Sequence, residues 1–378
     1  MLVILSKIFF KALDGKKPAK ILIYHVGNIG DIIVATPVYQ AIRKTFPEAK
    51  ITLLTSPGRI GLPGAKEIIA PLNLVDNLKV FYPEEIRSLK KIINLCRSIK
   101  KGDFDFLVYL PANQWGFWYI LRDMILFRLT GIKRAVGFEI YEGYYLYKKN
   151  KQKPVNEVDR LGKLLEPLGI NSGECTLEFP IEPEDKRFAS DLFHQYNINK
   201  KQLTIVVHPG GKKQTKLWSK QNFTRLIDRL IKELNMQIIL VGGKDEVSMV
   251  EGIISPMKQK AVNFTGSLTL SQLASVIERA DLMISNDSGP MHIGAALKIP
   301  VIALFSGVDI PNLWYPYGDE HTVIRKDVKC SPCFRSICSE HYCMNEITVE
   351  EVFQAVKVIL NQKKEKFSER PYTSNCKN

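Results

Sequence analysis

Three short stretches of this chain hold residues whose types and spacing can do chemistry. Val26-Gly27-Asn28-Ile29-Gly30-Asp31 sets a carboxylate beside two glycines that permit close approach of a ligand. Val207-His208-Pro209-Gly210-Gly211 leads into Lys212, Lys213 and Lys216, and lysines after a glycine turn can neutralise a diphosphate. Ser285-Asn286-Asp287-Ser288-Gly289-Pro290-Met291-His292 combines polar caps, a flexible glycine and a first-turn proline, the pattern of a helix start. At such a start, free backbone N–H groups and the positive end of the helix dipole attract phosphate or a developing negative charge. That attraction is worth about 0.3–2 kcal/mol before specific hydrogen bonds.

Each residue also has a plainer reading. An aspartate at a loop-to-helix junction is often only a cap, so Asp31 is either an N-cap or a working carboxylate, and its flanking glycines favour the second. Lys212 and Lys213 taken singly read as a solvated loop. His292, one turn into its helix, can reach the same anion as Asp287 and Ser288, although a lone histidine is more often structural. The first stretch is neither G-x-G-x-x-G nor a P-loop, which argues against a dehydrogenase or NTPase.

The surrounding apolar runs must position these residues. Lys20 to Val26, Ile51 to Thr55 and Phe104 to Leu110 read as strands. Helices are expected from Pro37 to Phe46, with Asp31 to Ala35 as a turn or kinked first turn, and from Glu84 to Lys101. After a polar stretch from Ile181 to Lys201, Leu203 to His208 restarts the alternation. A helix at Asn222 to Leu234, a strand at Gln237 to Val241 and a helix from Leu270 to Ala280 follow, the last opened by a Thr269-Leu-Ser-Gln272 capping box. Leu282 to Ser285 and Val301 to Phe305 read as strands around a helix at Met291 to Leu297.

Strand–helix alternation in both halves predicts an α/β chain of two doubly wound domains, whose ligands sit beyond the carboxyl ends of the strands. The expected divisions are residues 1–183, residues 184–360 and a polar, disordered tail at 361–378.

A chain of 378 residues with 45% hydrophobic content can bury two such cores. Its formal charge of +14 points to an acidic partner. No arginine-rich tract or interleaved aromatic platform favours nucleic acid, which leaves an anionic membrane surface or a phosphate-rich substrate. Residues 1–19 mix Leu2, Ile4, Leu5, Ile8 and Phe9 with Lys7, Lys11, Lys16 and Lys17. This segment is too short and interrupted to span a bilayer and lacks a secretory cleavage pattern, so a cytoplasmic protein is expected. It reads equally as a helix packed on the first domain or as a membrane-surface helix.

Four of the seven cysteines crowd together as Cys330-x2-Cys333-x4-Cys338-x4-Cys343. That spacing can ligate a structural zinc through four thiolates, or it can mark a redox or plain structural thiol cluster.

Taken together, the chain resembles glycosyltransferase family nine, the ADP-heptose:lipopolysaccharide heptosyltransferases. The resemblance is carried by Ile21 to Pro37, Val207 to Phe223 with Lys216-Leu-Trp218, Val241-Gly-Gly243, Phe264-Thr-Gly266, Ala280 to Phe305 and Cys330-Ser-Pro-Cys333-Phe. It implies a GT-B architecture of two Rossmann-like domains facing a central cleft, with acceptor on the first domain and nucleotide-sugar on the second. It also implies inversion at the anomeric carbon.

By that resemblance Asp31 is the general base, on an acceptor-side loop with Gly27, Asn28 and Gly30. Lys216 holds the diphosphate, and the donor-side set comprises His208, Gly210, Asp287, Ser288, Gly289 and His292, with Asp245 or Glu246 at the ribose. The implied reaction moves heptose from ADP-heptose to a lipopolysaccharide inner-core acceptor of the lipid A type, at the cytoplasmic face of the inner membrane and with no cofactor needed for catalysis. The chain departs from the family after Phe305, where Ser306-Gly307-Val308-Asp309-Ile310-Pro311 replaces a glycine-proline turn. This keeps open another donor sugar or acceptor. An epimerase of the same architecture and a non-catalytic nucleotide-sugar-binding protein are the more distant alternatives.

Overall fold

The computed structural model describes residues 2–13, 15–58, 61, 63–83, 88–112, 115–138, 155–199 and 201–368. Two parallel sheets follow one another along the chain. The first contains β1 (Lys20–His25), β2 (Lys50–Thr55), β3 (Asn77–Val80), β4 (Phe106–Leu110) and β5 (Ala135–Val136), in the order β3-β2-β1-β4-β5. The second contains β6 (Thr204–His208), β7 (Gln237–Leu240), β8 (Val262–Asn263), β9 (Leu282–Asn286), β10 (Val301–Phe305) and β11 (Thr322–Arg325), in the order β11-β10-β9-β6-β7-β8.

Burial on both faces explains why the central strands are continuous apolar runs rather than alternating ones. In β1, Ile21 and Ile23 enter one core while Leu22 and Tyr24 enter the other. The register Ile21↔Ile51 and Ile21↔Phe106 stacks apolar side chains across the sheet. In each sheet the strand order reverses beside the first strand, between β1 and β4 and between β6 and β9. A crevice opens at such a switch point because the connections leave in opposite directions. The carboxyl ends of β1, β6 and β9 lead into the three chemistry-bearing stretches.

The expected elements appear with small shifts. The segment before Pro37 is a separate helix, Ile29–Val34, followed by Thr36–Thr45 with Pro37 in its first turn. The expected helix at Glu84 to Lys101 is Leu89–Gly102, and residues 84–87 lie outside the described residues. The Thr269–Gln272 capping box is present, with the Gln272 N–H donating to Thr269 Oγ1 at 3.2 Å and the Thr269 N–H to Gln272 Oε1 at 3.0 Å.

The tail expectation needs correction, because the helix Val349–Ser368 runs through residues 361–368. Its first turns bury Val352, Phe353 and Val356, which anchors the helix and lets it propagate into the lysine-rich stretch. Residues 369–378 lie outside the described residues. At the other end, Leu2–Phe9 is a helix that packs against Phe117–Leu129 through buried Leu2, and Phe10 beyond it stacks on Phe138 at 5.1 Å. No helix among the described residues is long and apolar enough to cross a membrane.

Candidate active site

The two halves meet at their strand-to-helix junctions. Helix Ile29–Val34 of the first half packs directly on helix Gly289–Ala296 of the second. Gly30 makes this approach possible, since a Cβ there would sit 2.9 Å from His292 Cδ2. Lys212 Nζ adds a bridge, donating to Asn28 Oδ1 at 2.9 Å. The loop after β10 is tied to the first half as well. The Glu157 N–H donates to Leu313 O at 2.8 Å, and Tyr317 OH donates to Asp159 Oδ1 at 2.9 Å.

A cleft of about 480 Å³ opens at this junction. That volume is in the range that accepts a cofactor-sized ligand. Of the residues singled out in the sequence, Asn28, Gly30, Asp31, Lys216, Asp287, Ser288, Gly289 and His292 line it. Gly27, His208, Gly210 and Glu246 stand behind that wall.

Asp31 is the third residue of its helix rather than the N-cap, a position taken by Asn28. Its Oδ2 accepts the Asn28 N–H at 2.7 Å. Gly27 makes room for it, because a Cβ there would lie 2.2 Å from Asp31 Cβ. Among the described residues no cation pairs with this carboxylate. Burial pushes its pKa up to about 6, opposed by the Asn28 N–H and assisted by the nearby Glu157 carboxylate. Such a group is mostly ionised at neutral pH yet basic enough to take a proton. Glu157 is itself fixed by buried Arg160, whose Nε and Nη2 donate to its two oxygens at 2.7 Å.

Across the cleft the charge is organised differently. Lys216 ends a short 3₁₀ turn, Gln214–Lys216, held in place by Thr215 Oγ1 donating to Arg335 O at 3.0 Å and by buried Trp218. Its ammonium donates to Asp287 Oδ2 at 2.5 Å and also contacts Asp309. Burial works against the charge, but the two carboxylates outweigh it and hold Lys216 well above the ordinary lysine value. Burial also raises Asp287, although Lys216 pulls it down.

The residues behind the wall form a supporting chain. His208 Nδ1 lies 3.0 Å from Ser288 Oγ, and His208 Nε2 lies 3.2 Å from Glu246 Oε2. Glu246 Oε2 accepts the Gly243 N–H at 2.7 Å. Burial raises Glu246, but His208 and the N–H groups of Gly243 and Gly211 more than offset that, so it lies below the usual glutamate value. Gly210 is needed because a Cβ there would fall 1.8 Å from Glu246 Oε1. His208 and Glu246 therefore set the orientation of the Ser288 hydroxyl. His292 is buried, and its pKa is pushed down to about 4 by burial, with Lys216 and His321 adding to the effect. It enters the site as a neutral imidazole, a hydrogen-bonding partner rather than a cation.

Several functional groups escaped sequence reading. Lys212 and Lys213 line the cleft rather than a plain solvated loop. Asp309, Trp314 and Phe334 line it too. Asn286 braces it from within, its Nδ2 donating to Pro209 O at 2.6 Å and so locking the end of β9 to the glycine turn. The signals for Asp309 were its place just beyond the carboxyl end of β10 and its presence in the loop that departs from the family pattern.

The four cysteines share a separate cavity of about 560 Å³. Cys338 Sγ accepts the His341 N–H at 3.3 Å, and Cys343 is buried. No group of three or more His, Cys, Asp or Glu side chains among the described residues is arranged to hold an ion. The structure therefore does not support the structural zinc that the spacing allows, and the thiols lie within the wall of the loop.

Comparison with known proteins accords with this geometry. The chain is 27% identical over 301 residues to lipopolysaccharide heptosyltransferase 3 of Escherichia coli, covering 77% of this chain and 84% of that one. Its fold matches the crystal structure of a family 9 glycosyl transferase from Veillonella parvula, with a TM-score of 0.72, 20% identity and coverage of 93% and 100%. It also matches E. coli ADP-heptose lps heptosyltransferase II, with a TM-score of 0.66, 20% identity and coverage of 91% and 99%. The two Rossmann-like domains about a cleft are thus the GT-B fold. The sequence pattern of glycosyltransferase family 9 (heptosyltransferase) matches residues 92–343, and the chain belongs to that family of glycosyltransferases.

Proposed function

We propose that this glycosyltransferase moves heptose from ADP-heptose to a lipopolysaccharide inner-core acceptor, with inversion and with Asp31 as general base. Residues 1–183 would form the acceptor side and residues 184–360 the donor side, at the cytoplasmic face of the inner membrane. The observation that carries the reading is the meeting of two unlike junctions across one cleft. An unpaired carboxylate with a raised pKa faces a lysine and a helix start suited to an anion. The similarity to E. coli heptosyltransferase 3 supports the choice of sugar, and the likeness to E. coli ADP-heptose lps heptosyltransferase II supports the choice of nucleotide.

In the proposed step an acceptor hydroxyl oxygen attacks the anomeric carbon from the face opposite the diphosphate. Its proton passes to the Asp31 carboxylate as the new C–O bond forms. The bond from the anomeric carbon to the diphosphate oxygen breaks, and ADP departs with the electron pair. Lys216 and the N–H groups at the start of Gly289–Ala296 meet that growing charge. Neutral His292 supplies a further hydrogen bond, while Glu246 acts from behind the wall, through His208, on the Ser288 hydroxyl.

One observation favours a second reading, transfer of another sugar. Asp309 and Ile310, from the loop that departs from the family pattern, line the cleft beside Lys216. A donor screen with a lipid A–Kdo acceptor separates the two. Transfer from ADP-heptose above other nucleotide-sugars is expected. Transfer only from a non-heptose donor would keep the family and overturn the sugar.

A further inference from the structure

The outer face of the first sheet carries a surface that the transfer chemistry does not use. Helices Leu2–Phe9, Leu89–Gly102 and Phe117–Leu129 cover this face, burying Leu2, Ile99, Met124 and Phe127 against Leu22, Tyr24 and Tyr109. On their outward side, large apolar groups stand in solvent. Ile8 is 72% exposed, Leu89 79%, Trp118 76% and Leu129 71%. Of the fourteen large apolar side chains exposed among the described residues, eight belong to these three helices, so the exposure is concentrated.

Charge is concentrated on the same elements. The three helices contain eight lysines and arginines and a single acidic residue, Asp123. Asp123 is buried, accepting hydrogen bonds from Tyr109 OH at 2.8 Å and Arg122 Nε at 2.8 Å. The outward face is therefore cationic, and Asp103, the exposed cap that ends Leu89–Gly102, is paired with Lys20 at 3.7 Å. Three short helices supply about half of the molecule's net charge of +14.

We infer that this three-helix face docks on an anionic lipid bilayer. A bilayer interface is the partner whose chemistry matches every part of the face. Aliphatic side chains enter the acyl boundary, Trp118 and Tyr119 suit the headgroup level, and lysines meet anionic phosphates. A nucleic acid would use the lysines but leave the aliphatic groups without a partner. A protein interface would use the aliphatic groups but is generally depleted in lysine.

Topology gives the face a useful direction. β4 runs parallel to β1, and its carboxyl end leads through Trp115 into Phe117–Leu129, just as β1 leads to Asp31. Trp115 lies 6.1 Å from the Tyr24 ring of β1. Trp118 and Tyr119 thus stand on the sheet edge that bears Asp31. The surface itself stands on exposure and charge. Its use in presenting a lipid-borne acceptor to Asp31 rests on the transfer proposed above.

Flotation of the full chain with vesicles tests the inference. Binding to vesicles containing phosphatidylglycerol is expected, weakened by salt, with little binding to pure phosphatidylcholine. Lys90→Glu with Lys100→Glu, and separately Ile8→Glu with Trp118→Glu, should each weaken binding about tenfold or more. Both variants should keep the wild-type Tm and the wild-type rate on a water-soluble acceptor, while KM rises for a vesicle-borne one. Absence of vesicle binding, wild-type binding by both variants, or equally tight binding to duplex DNA would overturn the inference. Vesicle binding by a chain inactive with every donor would sink the transfer reading and leave the surface standing.

Discussion

Asp31 and Asp287 occupy comparable places in the two halves of the molecule, each just past the carboxyl end of a central strand and beside the start of a helix. Burial raises the pKa of both. Their partners differ. Among the described residues Asp31 is held by Asn28 and by no cation, whereas Asp287 is locked to Lys216, which also contacts Asp309. One carboxylate is left free to accept a proton, and the other fixes a cation. The same strand–turn–helix unit yields a base or an anion site according to whether a lysine reaches its carboxylate.

The largest effect should come from cancelling the free carboxylate. Asp31→Asn should lower turnover by about 10²–10⁴, the usual cost of losing a general base, with ADP affinity nearly unchanged. Calorimetric titration with ADP beside a turnover assay checks that split, and matched losses in both would place Asp31 in donor binding instead.

Lys216→Met should weaken ADP binding about 10- to 100-fold, from the roughly 1.5–3 kcal/mol of a charge-assisted hydrogen bond. It should also destabilise the fold by about 3 kcal/mol, because two neighbouring carboxylates lose their shared cation. Denaturant melts check the second part, and an unchanged midpoint would mean the triad is not a structural unit.

A smaller and opposite shift is expected from Asp309→Asn. Removing one of the two negative charges around Lys216 leaves the site more attractive to a diphosphate, so ADP should bind about fivefold more tightly, about 1 kcal/mol. Weaker ADP binding in that variant would show that Asp309 orients Lys216 rather than competing for it.

The last effect concerns stability rather than binding or turnover. The folded state favours protonated Asp31, so between its ordinary value of 3.8 and about 6 the folded chain binds more protons than the unfolded one. That contribution is present at low pH and lost as pH rises through about 6. Asp31→Asn should therefore raise Tm by a few degrees at about pH 7 and converge with wild type near about pH 4. Parallel melting curves across that range would contradict a raised pKa.

Much of this arrangement was legible in the residues. Buried parallel strands such as β1, β4, β6 and β10 are unbroken apolar runs, and the glycine and cap patterns marked the junctions at Asp31 and Ser288. The edge strands were not legible. β5 and β8 are two residues long, and β3 and β11 are only partly buried, so neither length nor hydrophobicity distinguishes them. The contact between Lys216 and Asp309 spans most of the second half, and the bridge from Lys212 to Asn28 crosses between halves. Such pairs depend on how the sheets meet, which no local pattern encodes. The cysteines show the same dependence, since their short separations bring all four to one cavity but do not fix the arrangement that an ion would need.

The central claim is that Asp31 is poised as a base by burial without a cation. The most direct measurement is the pH dependence of kcat/KM for transfer, which in the free enzyme reports the essential base. The wild-type rate should rise with pH and level off with an apparent pKa of about 6, and the residual rate of Asp31→Asn should lack that limb. A wild-type profile flat from about pH 5 to about pH 8, or the same limb persisting in Asp31→Asn, would contradict it.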